Sequence, residues 1–140
     1  MKVYFIFNLK KEFINLYKGK EHMLFEILKR IYNLDKNDIN YAYNLFYQMI
    51  YPINQNELNK EIYQNLKEKI PYNLENNIHN INSTYLDNIS KLIVNKTYIK
   101  LICNKDNNEF INILSKYNRN LFACDFKNNT FFFLNSINTC

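Results

Sequence analysis

Few side chains in this sequence have both the type and the spacing that catalysis or metal binding requires. His22 has Glu21 and Glu26 nearby, and such a set could transfer a proton if it faced a cleft. Because His22 is one residue away from an apolar helical stripe, we expect a surface histidine instead. His79 lies in an Asn-rich stretch with no Asp, Cys or second His at the spacing of metal ligands. The histidines therefore predict neither a general base nor a metal site.

Asp125 is the most unusual carboxylate, since it lies between Cys124 and Phe126 in an apolar run. A carboxylate in such a strand must find partners or face water, and we expect it to face outward near a turn. Cys103 and Cys124 fall in apolar runs, which is typical of small buried side chains in a reducing compartment. At the last position, Cys140, we expect a free thiol.

The sequence contains no known catalytic or cofactor-binding motif. There is no Gly-x-Ser-x-Gly elbow, no His-Glu-x-x-His helix and no dinucleotide fingerprint. A single Gly excludes Gly-rich phosphate loops, and three Cys and two His are scattered rather than clustered. We therefore expect a protein that is not an enzyme, with no cofactor, no metal and no small-molecule substrate.

Composition indicates one folded domain over residues 1–140. Of these 140 residues 47% are apolar, which argues against a disordered chain. The formal net charge of +5 is compatible with an acidic protein partner or with nucleic acid, but a Lys-rich solvated surface is favoured. The sequence has neither a signal-peptide pattern nor 18 consecutive apolar residues. We expect a cytoplasmic protein that does not interact with membranes.

The first half of the sequence predicts one strand followed by helices. Residues 3–7 are β-branched and aromatic, which indicates a strand buried on both faces in the middle of a sheet. A short helix over 10–18 is expected to end at Gly19 in the left-handed conformation. Asp38 is a candidate N-cap. Further helices are expected at 20–31, 39–51 and 57–70, the last two ended by Pro52 and Pro71.

The second half predicts a change from helices to strands. Residues 72–84 are rich in Asn, and Leu74, Ile78 and Ile81 have helix-like spacing, so we expect a loop or weak helix and the least ordered stretch. Residues 85–94 are expected to be helical. A strand is expected at 97–103, a helix at 107–117, and a hairpin of two strands at 121–126 and 130–134. The fold class is α/β: a single-domain sandwich of about four strands with several helices packed on the sheet, in the order β-α-α-α-(α)-β-α-β-β.

Aromatic residues on the late strands leave one alternative function open. A basic protein with Tyr and Phe on strands could bind single-stranded nucleic acid. The run Phe131-Phe132-Phe133 alternates between faces, and the Gly-aromatic signature of common RNA-binding sheets is absent. Buried sheet aromatics are therefore favoured, and a small basic nucleic-acid-binding protein is the alternative.

Two blocks of residues carry a resemblance to a known family. The first runs Tyr4-Phe5-Ile6-Phe7, Lys11-Glu12-Phe13, Tyr17-Lys18-Gly19-Lys20-Glu21 and Leu24-Phe25-Glu26. The second runs Leu121-Phe122-Ala123-Cys124-Asp125-Phe126 and Phe133-Leu134-Asn135. Together they resemble the SirA family, the sporulation inhibitor of replication of low-GC Gram-positive bacteria. Residues 53–95 match only in being helical, and Phe132-Phe133 replaces the family's Gly-Trp.

This resemblance implies a regulator that binds the N-terminal domain of the replication initiator DnaA and holds back replication as sporulation begins. The family's contact surface uses an exposed Phe and Tyr on the first helix, which fall on Phe13 and Tyr17. It also uses a following helix, here 38–51, on which we place Leu45 and Gln48 by alignment to Pro52. Leu16 and Lys18 depart from the family's pattern.

The spacing of the two aromatics is consistent with that role. Phe13 and Tyr17 are four residues apart and lie on one face of a helix, whereas Ile14 lies on another side and is the natural core residue. If the two rings are interface anchors, they should be substantially exposed in the free protein.

Overall fold

The computed structural model describes residues 1–34, 39–69, 71–106 and 108–135, with side chains in the third helix described from Tyr43 onward. Within this part of the chain, the strands form one antiparallel sheet of seven, and helices pack on both of its faces. The elements are β1 (Lys2–Asn8), α1 (Lys11–Leu16), α2 (Glu21–Tyr32), α3 (Ile39–Met49), α4 (Gln55–Leu66), β2 (Tyr72–Glu75), β3 (Ile78–Ser83), β4 (Asn88–Val94), β5 (Ile99–Cys103), α5 (Glu109–Tyr117), β6 (Leu121–Asp125) and β7 (Thr130–Phe133). The order across the sheet is β2-β3-β4-β5-β1-β6-β7.

Strand β1 organises the sheet because it lies between β5 and β6. Phe5 is opposite Lys100 on one side and Cys124 on the other. Side chains alternate along a strand, so Tyr4 and Ile6 point to one face and Phe5 and Phe7 to the other. The prediction of a strand in the middle of a sheet at this position is confirmed.

Two hydrophobic cores lie on opposite faces of the sheet. The first core contains side chains of α4 and α5 packed on the sheet: Tyr4, Ile6, Leu58, Ile62, Leu66, Leu101, Phe110 and Leu114 are among them. The second core contains side chains of α2 and α3: Phe7, Leu24, Phe25, Leu28, Phe46, Met49 and Phe122 are among them. Full burial of a large apolar side chain contributes about 1.5–3 kcal/mol to the free energy of unfolding. The buried side chains of the two cores therefore supply most of the energy that holds the helices on the sheet.

Gly19 ends the first helical segment as the sequence predicts, and two asparagines that were not predicted cap later helices. Gly19 has φ +82 and connects α1 to α2, a conformation that costs glycine little. The Asn54 side chain accepts a hydrogen bond from the Glu57 amide at 3.1 Å and caps α4. Asn108 does the same for α5 through the Phe110 amide at 2.8 Å. The proposed cap Asp38 lies outside the described residues.

The prediction for residues 72–94 is wrong. Where a loop or weak helix and then a helix were expected, the chain forms β2, β3 and β4. Alternation explains the difference: in β3, His79, Ile81 and Ser83 are buried, whereas Asn80 and Asn82 are not. Asn76 at φ 57 and Asp87 at φ 48 adopt the left-handed conformation in the two connecting turns. The segment is thus a paired part of the sheet.

The rest of the predicted architecture is confirmed in part. The strand at 97–103 and the late hairpin do share one sheet with β1, as β5-β1-β6-β7. The α/β class and the helices on the sheet are correct. The expected number of about four strands is too low, because β2, β3 and β4 were not recognised.

Candidate protein-binding surface

Helix α1 is short and lies at the surface. It has six residues, and none of its side chains is fully buried. Phe13, Ile14 and Tyr17 pack against the second core and are half-buried. Leu16 points to solvent, with 69% of its surface exposed. An apolar helix face that is only half-covered is a common feature of protein-binding surfaces.

Backbone hydrogen bonds fix the start of α1 beside the end of α3. The Lys10 amide donates to the Met49 carbonyl at 2.8 Å, and the Tyr51 amide donates to the Asn8 carbonyl at 2.8 Å. The Lys10 ammonium also lies 5.6 Å from the centre of the Tyr51 ring. This short antiparallel connection, which includes the Leu9–Ile50 bridge, places the two helices of the expected surface next to each other.

Of the four residues expected at a partner surface, Phe13 lies on α1, Tyr17 directly follows its last residue, and Leu45 and Gln48 lie on α3. Phe13, Tyr17 and Leu45 are half-buried and pack against the second core, and Gln48 is exposed. Ile14, expected to be the core residue of α1, is partly buried, as Phe13 is. Neither Phe13 nor Tyr17 is among the exposed side chains, so the expectation of substantially exposed rings is wrong: each ring packs on the second core and keeps only part of its surface accessible.

Sequence reasoning did not identify the tyrosines of the α3 region. Tyr43 and Tyr47 are 51% and 56% exposed, and their rings stack 6.2 Å apart. Tyr51 is also exposed, just after the helix. The four-residue spacing of these three tyrosines in the sequence is the signal that could have indicated an exposed stripe.

His79 is a buried structural residue. Its Nε2 donates to Asn59 Oδ1 and its Nδ1 accepts from the Tyr72 hydroxyl, both at 2.7 Å, because the amide oxygen can only accept. Burial lowers the pKa of His79 to about 4 and raises the pKa of Tyr72 to about 12. His79 is thus a neutral histidine that connects α4 to β2 and β3. His22, in contrast, is exposed as expected.

The expectation that Asp125 faces outward is wrong. The residue is buried, and its carboxylate accepts hydrogen bonds from the Asn128 amide at 3.1 Å and from Asn128 Nδ2 at 2.7 Å. These two bonds shape the turn between β6 and β7, which satisfies a carboxylate that would otherwise be costly to bury. Asp125 has a structural role in the hairpin.

The described cysteines lie in surroundings that disfavour the reactive thiolate. Cys103 and Cys124 are buried free thiols, as expected. Burial raises the pKa of Cys103 to about 11 and raises that of Cys124 further, which suppresses the reactive thiolate. Cys140 lies outside the described residues. Across the described ranges, no three His, Cys, Asp or Glu side chains are grouped as metal ligands would be.

The aromatic side chains of β7 pack against other aromatic side chains of the protein. Phe131 stacks on Phe25 of α2 with ring centres 5.2 Å apart, and Phe132 meets Tyr4 edge-to-face at 5.5 Å on the opposite face. This packing agrees with the favoured interpretation of buried sheet aromatics. In the described part of the chain, no helix has the length and apolar character that crossing a membrane requires.

These observations define a small α/β protein with several accessible aromatic side chains on α2 and α3 beside the sheet, a feature of many protein-binding surfaces. Residues 2–138 match the family model of the sporulation inhibitor of replication protein SirA, and the chain belongs to this family. It is a family of regulators associated with sporulation and replication. No curated protein matches the chain.

Proposed function

We propose that this chain is a non-enzymatic regulator that binds the N-terminal domain of the initiator DnaA and thereby inhibits the initiation of chromosome replication. The observation that carries the proposal is the position of Phe13 on α1 and of Tyr17 directly after its last residue. Their partly accessible rings lie on a segment that is fixed beside the end of α3 in a member of the SirA family. Aromatic anchors with one packed side and one accessible side lose little conformational entropy on binding.

The proposed contact surface combines the two helices. Phe13 and Tyr17 supply the anchors, Leu45 extends the apolar area, and Gln48 supplies a polar group at its margin. The exposed Leu16 lies on the same helix. A surface of this composition fits a folded protein domain better than a phosphate backbone, which requires a track of cations.

A titration of the purified chain with the N-terminal domain of DnaA tests the proposal. Truncation of an anchor to Ala costs about 2 kcal/mol or more, roughly a thirtyfold loss of affinity. We expect this loss for Phe13→Ala and Tyr17→Ala, and a smaller loss for Gln48→Ala. Tyr85→Ala, at a ring that is 95% exposed, and Gln64→Ala, on exposed α4 surface, are the matched controls. Undiminished binding by Phe13→Ala would remove this residue from the surface.

Salt dependence separates the proposal from the nucleic-acid alternative. A protein that makes many phosphate contacts loses about 10³-fold or more in affinity between about 50 and about 200 mM salt. We expect the complex with the initiator domain to weaken far less over that range. A DNA complex that forms only at low salt, with no complex with the initiator domain, would favour the alternative.

A further inference from the structure

A second accessible surface lies on the same face of the sheet as α2 and α3. A groove of about 410 Å³ opens between these helices, with Phe5 and Tyr98 on its floor and Tyr32, Tyr43 and Tyr47 on its walls. The three wall tyrosines are each more than half exposed. Exposed aromatic side chains gathered around one groove are uncommon on a surface that only faces water.

This groove continues into a second cleft of about 460 Å³. The two share Phe5 and Tyr32, whose rings lie 4.9 Å apart. We call the combined depression the aromatic trough. Its far end is lined by the basic side chains Lys2, Lys100 and Lys127.

Two of the three lysines at the basic end have no ion-pair partner among the described residues. Lys2 is paired with Asp106 at 2.8 Å, but no described carboxylate lies within ion-pair distance of Lys100 or Lys127. The carboxylate that lines this end, Asp125, accepts both of its hydrogen bonds from Asn128.

Lys100 is positioned at the junction of the two ends. Its ammonium lies 5.6 Å above the centre of the Phe5 ring, a cation–π contact that holds the charge at the margin of the apolar groove. The trough therefore has an apolar, tyrosine-lined end and an end with the two unpaired lysines Lys100 and Lys127, connected through Phe5.

We propose that the aromatic trough binds an extended acidic segment of a partner protein, with a large apolar side chain of that segment inserted between the tyrosines. Charge complementarity selects this occupant, since the apolar end offers no cation for a phosphate chain to follow. Acidic residues next to the inserted side chain reach Lys100 and Lys127.

This trough is distinct from the surface in the proposed function. Tyr43 and Tyr47 are one helical turn apart, and Leu45 is two residues from each of them. Two residues correspond to about 200° of rotation, so Leu45 lies on the opposite side of α3. One protein can thus present two different docking surfaces on either side of a single helix.

The test uses fluorescein-labelled synthetic peptides of about twelve residues measured by fluorescence anisotropy. Each peptide carries one Phe, Leu or Trp in a background of Asp, Glu and Ser, and its partner peptide has Lys in place of every acid. We expect the acidic set to bind and the basic set not to bind. The double variant Lys100→Glu, Lys127→Glu and the variant Tyr47→Ser should each weaken binding about tenfold or more.

Control variants keep the result interpretable. Lys60→Glu and Tyr63→Ser change exposed side chains of α4 on the other face of the sheet and should leave peptide binding unchanged. Phe13→Ala should also leave it unchanged while reducing binding of the initiator domain, which separates a failure of this inference from a failure of the proposed function. Equal binding of both peptide sets, no peptide binding, or binding of oligothymidine that the double Lys variant abolishes would each overturn the inference.

Discussion

The Lys10 amide donates a 2.8 Å hydrogen bond to the Met49 carbonyl, which joins the residue before α1 to the last residue of α3. This bond determines where the two helices of the proposed surface lie relative to each other. The helices are far apart in sequence, and α2 lies between them along the chain. Their relative position therefore depends on a few backbone contacts at the end of β1.

Removing this hydrogen bond should separate the two halves of the proposed surface. Lys10 has φ −66 and ψ 138, so the φ that proline requires is already present and Lys10→Pro removes the N–H donor. We expect a loss of about 1–2 kcal/mol in the free energy of unfolding, since the Met49 carbonyl loses its donor, and weaker binding of the initiator domain. Urea unfolding and titration measure the two effects.

The control for that experiment is Lys10→Ala, which keeps the amide donor and removes only the charged side chain. It should unfold within about 0.5 kcal/mol of the wild type. If Lys10→Ala and Lys10→Pro were equally destabilised, the lost side chain and not the hydrogen bond would be responsible.

Phe13 should stabilise the fold less than a fully buried phenylalanine does. Truncation of a buried Phe to Ala typically costs about 3–5 kcal/mol, which we expect for Phe110 in the first core, where the ring is completely covered. Phe13 keeps part of its surface accessible, and Phe13→Ala should cost less, about 2–3 kcal/mol. Thermal unfolding of both variants provides the comparison. A Phe13 variant as unstable as the Phe110 variant would make the residue part of the core.

The sequence predicted those parts of the fold in which local signals and periodicity agree. Leu58, Ile62 and Leu66 have helical spacing, an Asn precedes the helix, and all three are buried on α4. In the β2–β3 region the signals conflict. Leu74, Ile78 and Ile81 fit a helical spacing. The alternation of buried and accessible residues along β3 is determined only by its pairing with the neighbouring strands. Such pairing is non-local, and a single sequence carries little information about it.

The sequence supplied candidate residues for the surface but not its geometry. The family resemblance supplied Phe13 and Tyr17, and the helical pattern placed them on one face. The end of β1 and the end of α3 exchange backbone hydrogen bonds. This contact follows from the tertiary fold and could not be read from either segment alone. The aromatic trough was missed for the same reason, since Phe5, Tyr32 and Tyr98 come from β1, α2 and the β4–β5 connection.

Hydrogen exchange should identify β3 as a protected strand. Its residues pair with β2 on one side and with β4 on the other, so its amides become accessible only when part of the sheet opens. We expect the hydrogen-bonded amides of β3 to exchange at least about a hundredfold more slowly than those of an unstructured chain. Exchange of 78–83 at the rate of an open loop would restore the interpretation of the Asn-rich segment as disordered.

The buried His79 should make the protein less stable in mild acid. The pKa of His79 is about 4 in the folded protein and about 6.5 in an unfolded chain. Between these values the unfolded state binds a proton that the folded state does not, so the free energy of unfolding falls as the pH falls. The contribution is fully present above about pH 6.5 and is lost progressively toward pH 4. From about pH 7.5 to about pH 5 the expected loss is about 2 kcal/mol.

Urea unfolding at a series of pH values measures this loss. The control is His79→Gln, which cannot titrate at this position, so any pH dependence that remains in the variant comes from other groups such as the carboxylates. The variant should be less stable at neutral pH, because it disturbs the bonds to Asn59 and Tyr72, but its stability should vary less with pH. Equal pH dependence of the two proteins would assign the acid sensitivity to other groups.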